Sequence, residues 1–387
     1  MTSERIEFPA RGDWLRARPV LIDLKQFLTE SAFEHTSRLP LPGGPLDLFL
    51  DPSNIRGYRN GQGNLFHRSS VASVFRRTLA SKHPVAVTLH ELFTLGQTRE
   101  LASIKAIIPP SLLRGLVDIG ALTVNPPLVR SEILAVMVDA NLFLSDPIRL
   151  QRHPDYVYLG RTSFEFSGIG AHTAGRDRGA DAPATRLLDL GCGAGIGAVS
   201  AAAEGVGEVL GTDIIERCLD FARLNAAINE VMNAEFRYSD ICDQVDGDFD
   251  AIISNTPCAW EALEAHTFAT GGAEFGTELP MRMLDAALDR LRAGGTVAAI
   301  VAAPIVHGEP YVLRALERLG VGRTLDVDVQ PLFSEYDYQH SGLYGRHAIT
   351  EFVRYRVEIS KAETNSTRMR AQPASRFGSS RLRRAPR

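Results

Sequence analysis

The chain has 387 residues, of which 44% are hydrophobic and 23% are charged, as is typical of globular proteins with roughly two or three domains. The net charge of -4 gives no reason to expect a polyanionic partner. The four cysteines form no Cys-x-x-Cys pair and have no zinc-like histidine spacing, so we expect free thiols, no metal and a cytoplasmic protein. We find no signal-peptide pattern and no apolar stretch long enough to span a membrane.

The first 150 residues show two different patterns. Residues 1–80 contain a stretch rich in proline, glycine and asparagine, and we expect them to be extended or irregular. Residues 81–150 contain short helical patterns followed by an apolar hairpin that turns at Asp139-Ala140-Asn141. This order predicts a small α+β domain of winged-helix type. Recognition of substrate or nucleic acid and simple packing or dimerisation are equally compatible with such a domain.

Strands and helices alternate from residue 184 onward, which predicts a doubly wound α/β fold for a domain at 151–360. The predicted strands include RLLDL, EVLGTD, EFRYSD, FDAIIS and TVAAIVA. The last shows no polar alternation, as expected for a strand covered on both faces. Residues 361–387 hold eight Lys/Arg and one acid and are predicted to be a disordered basic tail. A solvated extension explains that tail better than an arm for RNA or an acidic partner.

A glycine-rich turn opens the α/β region. Its three glycines are Gly191, Gly193 and Gly195, and Asp189 precedes them within the first strand. Such glycines permit a tight strand-to-helix turn and close approach of a ligand. Asp213 ends the second strand, 22 positions after Gly191, where a carboxylate can accept hydrogen bonds from two ribose hydroxyls. Asp240 ends the third strand and could meet an exocyclic amine. The glycine spacing by itself is also compatible with a dinucleotide site.

These motifs carry a family resemblance. From about residue 184 to 303 the chain resembles a class I S-adenosylmethionine-dependent methyltransferase: LLDLGCGAG is similar to the first motif, GTD to the ribose-binding second motif, and SDI to the third, which flanks adenine. The resemblance, rather than the spacing, implies S-adenosylmethionine instead of NAD. The cofactor-binding residues it implies are Asp189, Gly191, Cys192, Gly193, Gly195, Asp213, Ile214, Asp240, Ile241 and Asn255.

The fourth strand ends in Asn255-Thr256-Pro257-Cys258, which resembles the Asn-Pro-Pro-Tyr/Phe motif of enzymes that methylate amide or amino nitrogens. The resemblance implies that the Asn255 side chain and the Thr256 carbonyl accept hydrogen bonds from the target NH2, so we expect Asn255, Thr256 and Pro257 to be catalytic. Two acceptors stabilise the charge that develops on such a nitrogen. Threonine in place of proline is expected to loosen the turn. Cysteine in place of the aromatic disfavours a stacked nucleobase.

Several further residues are substrate-contact candidates. Phe166 lies in GRTSFEFSGIGAHT, which resembles the segment that covers the methionine end of the cofactor in glutamine methyltransferases. Cys258, Trp260 and His266 lie in or near a long loop after the motif, and long loops often bind ligands. Tyr338 lies in a late aromatic stretch. A small pocket-lining cysteine, a solvent-facing histidine and a simple hairpin turn are the alternatives for Cys258, His266 and Tyr338.

The leading functional expectation is an S-adenosylmethionine-dependent methyltransferase that N-methylates an amide or amine of a small metabolite. The acidic core, the missing aromatic and the long N-terminal extension favour a small acceptor. The alternatives are a protein glutamine or rRNA base N-methyltransferase, an O-methyltransferase of a small metabolite, and a non-catalytic subunit that binds the cofactor. The basic tail and the 81–150 module favour a macromolecular acceptor. The sequence indicates neither a membrane partner nor an oligomeric state.

Overall fold

A computed structural model provides the structure of the chain. It describes residues 8, 14–38, 79–150, 153, 155–175, 185–257, 271–321, 323–336, 348–361 and 368–371. The chain divides into two compact units, Met1–Asp246 and Gly247–Arg387, and each is described by itself. The described part of the predicted 81–150 domain therefore shares one unit with the glycine-rich turn, and the predicted 151–360 domain is divided between the units.

The first unit begins with a helix where the sequence predicted an extended segment. Helix α1, Trp14–Glu30, packs against helices α4 and α8, whose bounds follow below. Leu21, Leu24 and Leu28 recur at helical spacing and are completely buried. The prediction for residues 1–80 was wrong here because the Pro/Gly-rich stretch that follows dominated the composition. Residues 39–78 lie outside the described part of the chain.

Residues 79–150 form short helices, a three-stranded sheet and a hairpin. The helices are α2 Pro84–Leu89, α3 Leu101–Lys105 and α4 Pro110–Asp118, with a π-helical turn at His90–Thr94. The strands are β1 Arg99–Glu100, β2 Leu122–Asn125, β3 Leu128–Ser131, β4 Leu134–Val138 and β5 Asn141–Ser145. Strands β1, β3 and β2 pair antiparallel in that order, and β4–β5 is the predicted hairpin. Asp139 and Ala140 have positive φ, as a two-residue type I′ turn requires. The winged-helix assignment stays a prediction.

The rest of the first unit is a parallel α/β layer. Its helices are α5 Arg161–Ser167, α6 Ile169–Thr173, α7 Ile196–Ala203 and α8 Glu216–Ile228. Its strands are β6 Arg186–Leu190, β7 Glu208–Asp213 and β8 Ala234–Tyr238, which pair in parallel in the order β6-β7-β8. Phe221, Leu224 and Ile228 on α8 are buried, as their spacing predicted. Helices α5 and α6 pack against α7.

The second unit is a mixed sheet with two longer helices and a four-residue helical segment at Ala273–Gly276. The strands are β9 Phe249–Asn255, β10 Leu291–Val306, β11 Glu309–Pro310, β12 Leu325–Tyr336, β13 Ile349–Lys361 and β14 Arg368–Ala371. The helices are α9 Glu278–Asp289 and α10 Tyr311–Leu319. Strands pair in the order β14-β12-β13-β10-β9, with β9 parallel to β10 and β13 antiparallel to both of its neighbours. The buried run 297–303 in β10 confirms a strand covered on both faces.

Strand β14 corrects the prediction that the basic tail is disordered, for the four residues it contains. It adds to the edge of the sheet by pairing in parallel with β12, which places Arg368 beside Asp326 and Arg370 beside Asp328. Main-chain pairing with β12 orders a segment that has no apolar residues to bury except Met369 and Ala371. The chain is thus a mixed α/β protein with mostly parallel central strands. Across the described ranges, every helix is too short or too polar to cross a membrane.

Candidate cofactor and methyl-transfer site

The turn between β6 and α7 has three glycines with left-handed backbone angles: Gly191 (φ 72°), Gly193 (φ 53°) and Gly195 (φ 79°). Gly195 begins α7 against α8, and a Cβ added there would lie 2.8 Å from the Cβ of Ala222. A Cβ added at Gly193 would meet no atom within 4 Å. The glycines therefore serve two purposes: Gly195 permits close helix packing, and Gly193 leaves its backbone open to a ligand.

Asp189 lies beneath this turn and is completely buried. Its Oδ2 accepts a hydrogen bond from the Ala198 N–H at 2.8 Å, whereas its Oδ1 has no partner within the described part of the chain. Burial raises the pKa of Asp189 to about 7; the Ala198 N–H opposes this rise and the charge of Asp213 adds to it. A buried carboxylate oxygen without a donor fits a site that a ligand completes.

Asp213 joins the end of β7 to the glycine turn. Its Oδ2 accepts from the Gly193 N–H and its Oδ1 from the Ile215 N–H, both at 2.9 Å. Burial raises the pKa of this carboxyl, and the backbone donors at Ile215, Gly193 and Ile214 oppose the rise. A carboxylate oxygen can accept more than one hydrogen bond, so both oxygens retain capacity for the two hydroxyls of a ribose.

The ends of β7 and β8 are linked, because the Ser239 N–H donates to the Asp213 carbonyl at 3.1 Å. Asp240 lies two residues beyond the end of β8, rather than at its end as predicted, and is exposed. Ile214 is 45% exposed, so an apolar side chain is open to a ligand next to the buried Asp213. Ile241 has a φ of 49°, a costly conformation for a β-branched residue. An apolar side chain and an exposed carboxylate thus lie beside the ribose-binding candidate.

Cys192 contributes packing and backbone rather than thiol chemistry. Its N–H donates to the Thr212 carbonyl at 2.8 Å, and its side chain is buried near Gly211. Burial, together with the charges of Asp213 and Asp189, raises the pKa of this thiol well above its usual value. The thiolate is the reactive form of cysteine, so Cys192 is unreactive near neutral pH.

The Asn-Thr-Pro stretch lies at the end of β9 in the second unit. The Thr256 N–H and hydroxyl both donate to the Ile300 carbonyl on β10, at 3.2 and 2.8 Å. The expectation that threonine loosens this turn is therefore wrong, because proline could make neither bond. Asn255 is half-buried, and its side-chain amide forms no hydrogen bond with any described residue. Pro257 is also half-buried and closes the described part of the motif.

The first unit thus brings together Asp189, the three glycines, Asp213, Ile214, Asp240 and Ile241. Phe166 lies on α5 and is only 2% exposed, so it is a core side chain in this structure. Cys258, Trp260, His266 and Tyr338 lie outside the described residues. No group of side chains suited to a metal ion occurs among the residues that the structure describes.

Asn225 and Asn229 on α8 were missed from the sequence. Asn225 is completely buried and donates to the Ala194 carbonyl in the glycine turn at 2.8 Å. Both asparagines also hydrogen-bond to β5. Two amides spaced by four residues within the otherwise apolar face of ARLNAAIN were the available signal, because buried amides need partners.

Residues 180–321 match the family described as "Methyltransferase small domain". A Methanocaldococcus jannaschii protein with the provisional name protein N5-glutamine methyltransferase is 28% identical over 154 residues, 38% of this chain and 77% of that protein. A ribosomal protein L11 methyltransferase from Lactobacillus gasseri is 38% identical over 69 residues, 18% of this chain and 22% of that protein. A ubiquinone biosynthesis O-methyltransferase from Neisseria meningitidis serogroup C is 40% identical over 79 residues, 20% and 33% of the two chains.

Two solved structures resemble the chain more distantly. Methanocaldococcus jannaschii Trm5 in complex with adenosine is 11% identical, with 60% of this chain and 57% of that chain covered and a TM-score of 0.41. Methanocaldococcus jannaschii TYW2 in complex with AdoMet is 11% identical, with coverage of 60% and 91% and a TM-score of 0.39. Likeness at this level says nothing about the acceptor.

The family match and the named relatives make this chain an S-adenosylmethionine-dependent methyltransferase, with S-adenosylmethionine as the cofactor. The glycine turn, Asp189 and Asp213 that lie within the matched residues are the part of the chain that fits this cofactor. The chain spans less than two thirds of the L11 and ubiquinone relatives, and the named substrates of the relatives differ, so the acceptor is a separate question.

Proposed function

We propose that this protein transfers a methyl group from S-adenosylmethionine to a planar amide nitrogen, and that the acceptor is a glutamine-type side chain of a protein. The observation that carries the proposal is the side-chain amide of Asn255 at the end of β9, which makes no hydrogen bond within the described residues and lies beside a threonine bonded to β10. The 28% identical relative, most of whose length the match covers, has a provisional name that supports a glutamine acceptor.

The residues of the first unit would hold the cofactor. Asp213 can accept hydrogen bonds from the ribose hydroxyls, and the open side of Gly193 lets the ligand approach the backbone closely. Asp189 Oδ1 has no donor among the described residues. Asp240, Ile214 and Ile241 offer a carboxylate and apolar surface for the base. When bound, the cofactor supplies an electrophilic methyl group on a sulfonium sulfur.

Asn255 and Thr256 would orient the acceptor. An amide nitrogen is a poor nucleophile because its lone pair is delocalised into the carbonyl group. The Asn255 side-chain oxygen and the Thr256 carbonyl can each accept one N–H of the acceptor, which holds the nitrogen in place and favours the positive charge that develops on it. The two hydrogen bonds from Thr256 to Ile300 restrain the main chain at this point, so backbone motion disturbs the orientation of the acceptor less.

A small metabolite was the leading expectation from the sequence, but the N-methyltransferase relative has a provisional name that specifies glutamine in a protein. The second candidate is therefore methyl transfer to oxygen in a small molecule, which the 40% identical match to a ubiquinone biosynthesis O-methyltransferase favours. For a protein acceptor, we propose that the helices and hairpins of residues 79–150 take part in recognition, in the manner of a winged-helix module.

Methyl-labelled S-adenosylmethionine separates these functions. The protein is incubated with the label and an extract of its source cells, and acid-insoluble material is separated from soluble molecules. Label in the insoluble fraction that is sensitive to protease and not to ribonuclease supports the proposal. Label that is sensitive to ribonuclease or that is soluble contradicts it, and soluble label favours the small-molecule candidate. Bound cofactor without any transfer would indicate a non-catalytic subunit.

Asn255→Ala is the decisive variant. We expect label transfer to fall by at least about 100-fold, since an interaction made with the reacting nitrogen is lost. The Kd for S-adenosylhomocysteine should stay within about twofold, since the cofactor contacts of the first unit remain. Thr256→Ser, which retains both donors to Ile300, is the matched control and should transfer normally. Undiminished transfer by the Asn255 variant would mean that the stretch is only a turn.

A further inference from the structure

Helix α8 carries two asparagines one turn apart. Their side-chain amides make the hydrogen bonds to β5 that a neighbouring strand would otherwise make. The Asn225 Oδ1 accepts from the Leu144 N–H at 2.9 Å and its Nδ2 donates to the Leu144 carbonyl at 3.0 Å. Asn229 makes the same pair of bonds with Leu142, at 2.9 and 2.7 Å. Alternate residues of one strand direct their main-chain groups to the same edge, so these two amides satisfy the outer edge of β5.

The hydrogen-bonding patterns of the two asparagines differ in the third bond, and Asn229 is half-buried where Asn225 is completely buried. Each amide has two N–H donors and one acceptor oxygen. The second N–H of Asn229 goes to the Asn225 carbonyl within α8, at 2.8 Å. The second N–H of Asn225 goes instead to the carbonyl of Ala194, also at 2.8 Å. Of the two asparagines, it is Asn225 that joins the hairpin to the glycine turn.

Ala194 lies between the open glycine and the tightly packed one. Gly193 is held by its N–H bond to Asp213, and the Gly195 N–H donates to the Cys192 carbonyl at 2.8 Å. The Asn225 bond is the third restraint, and it fixes the peptide plane between Ala194 and Gly195. The bond to α8 thus holds this peptide in one orientation, next to the open side of Gly193.

We propose that Asn225 is a positioning residue for the cofactor turn, and that it couples docking of hairpin β4–β5 to cofactor affinity. Loss of the hydrogen bond to Ala194 leaves one peptide of the turn less ordered. Cofactor binding must then order this peptide, which costs conformational entropy and lowers the affinity. The inference rests on the cofactor assignment and not on the identity of the acceptor, so failure of the proposed acceptor leaves it standing.

Asn225→Leu and Asn229→Leu form a matched pair, since each removes three hydrogen bonds and only the third partner differs. Calorimetry with S-adenosylhomocysteine gives the Kd, and a thermal scan gives the Tm. We expect both variants to have a lower Tm. Only Asn225→Leu should raise the Kd, by about tenfold, the usual consequence of one lost buried hydrogen bond. A Kd within twofold of wild type for Asn225→Leu, or an equal rise for Asn229→Leu, would overturn the proposal.

Hydrogen exchange on the wild-type protein provides a test that does not depend on folding of a variant. Coupling between two sites is reciprocal, so S-adenosylhomocysteine should slow amide exchange at Leu142 and Leu144 as well as in the glycine turn. Unchanged exchange at the hairpin under saturating ligand would contradict the coupling. A wild-type protein that does not bind the ligand would overturn the cofactor assignment itself, together with this role.

Discussion

Replacing Gly195 or Gly193 with alanine should distinguish the packing role of the first glycine from the ligand-access role of the second. At Gly195 an added Cβ would lie 2.8 Å from the Ala222 Cβ and 3.0 Å from its Cα, and φ is +79°. Left-handed backbone costs an alanine about 1–2 kcal/mol, and overpacking adds about 1–3 kcal/mol. Gly195→Ala should therefore lose about 2–5 kcal/mol. At Gly193 the space is open and only the backbone term of about 1–2 kcal/mol applies.

Thermal scans and calorimetry of the two variants test this calculation. A domain of this size loses about 2–4 °C of Tm per kcal/mol, so Gly195→Ala should lose about 4–20 °C and Gly193→Ala about 2–8 °C. Gly193→Ala should nevertheless raise the Kd for S-adenosylhomocysteine by at least about tenfold, because its methyl group stands on the open side of the turn. Equal losses of Tm would refute the packing argument for Gly195. Wild-type affinity of the Gly193 variant would refute the approach of the cofactor from that side.

Three further changes test the site. Asp213→Ala should weaken S-adenosylhomocysteine binding by at least about 100-fold, since hydrogen bonds to a charged acceptor are worth about 1.5–3 kcal/mol each; retained affinity in calorimetry would remove the ribose assignment. Thr256→Val should lower the free energy of unfolding by about 1 kcal/mol, and Thr256→Pro should lower it further because it also loses the N–H bond to Ile300. Equal urea midpoints for the wild type and the two variants would contradict this. The raised pKa of Asp189 means that the native state holds its proton more tightly than the unfolded chain, so this residue's contribution to stability falls as pH rises from about 4 to about 7. Asp189→Asn should remove that fall, which is about 4 kcal/mol at most. If the free energy of unfolding in urea changes between about pH 4.5 and about pH 8 by the same amount in the variant and the wild type, the carboxyl titrates normally.

The alternation of strands and helices, and the cofactor motif, could be predicted from the sequence. Buried strands and helix faces leave a local period in the chain, and α8 kept its predicted apolar face. The glycines that need left-handed angles and the acid at the end of β7 are also local features, because a turn and a strand end are built from neighbouring residues. The methyltransferase class came from the family resemblance that these motifs carry, and the family match agrees with it.

Only the tertiary structure decided which groups are joined across the chain. Asn225 bonds to main-chain groups 81 and 31 positions away, and Thr256 to one 44 positions away. Strand β14 depends on the edge of β12 for every main-chain bond it makes in the sheet. Such pairings leave no period in the sequence, because an amide or a carbonyl has the same chemistry wherever its partner lies. The sequence shows that an amide on an apolar helix face needs hydrogen-bond partners, whereas the tertiary structure determines which groups those partners are.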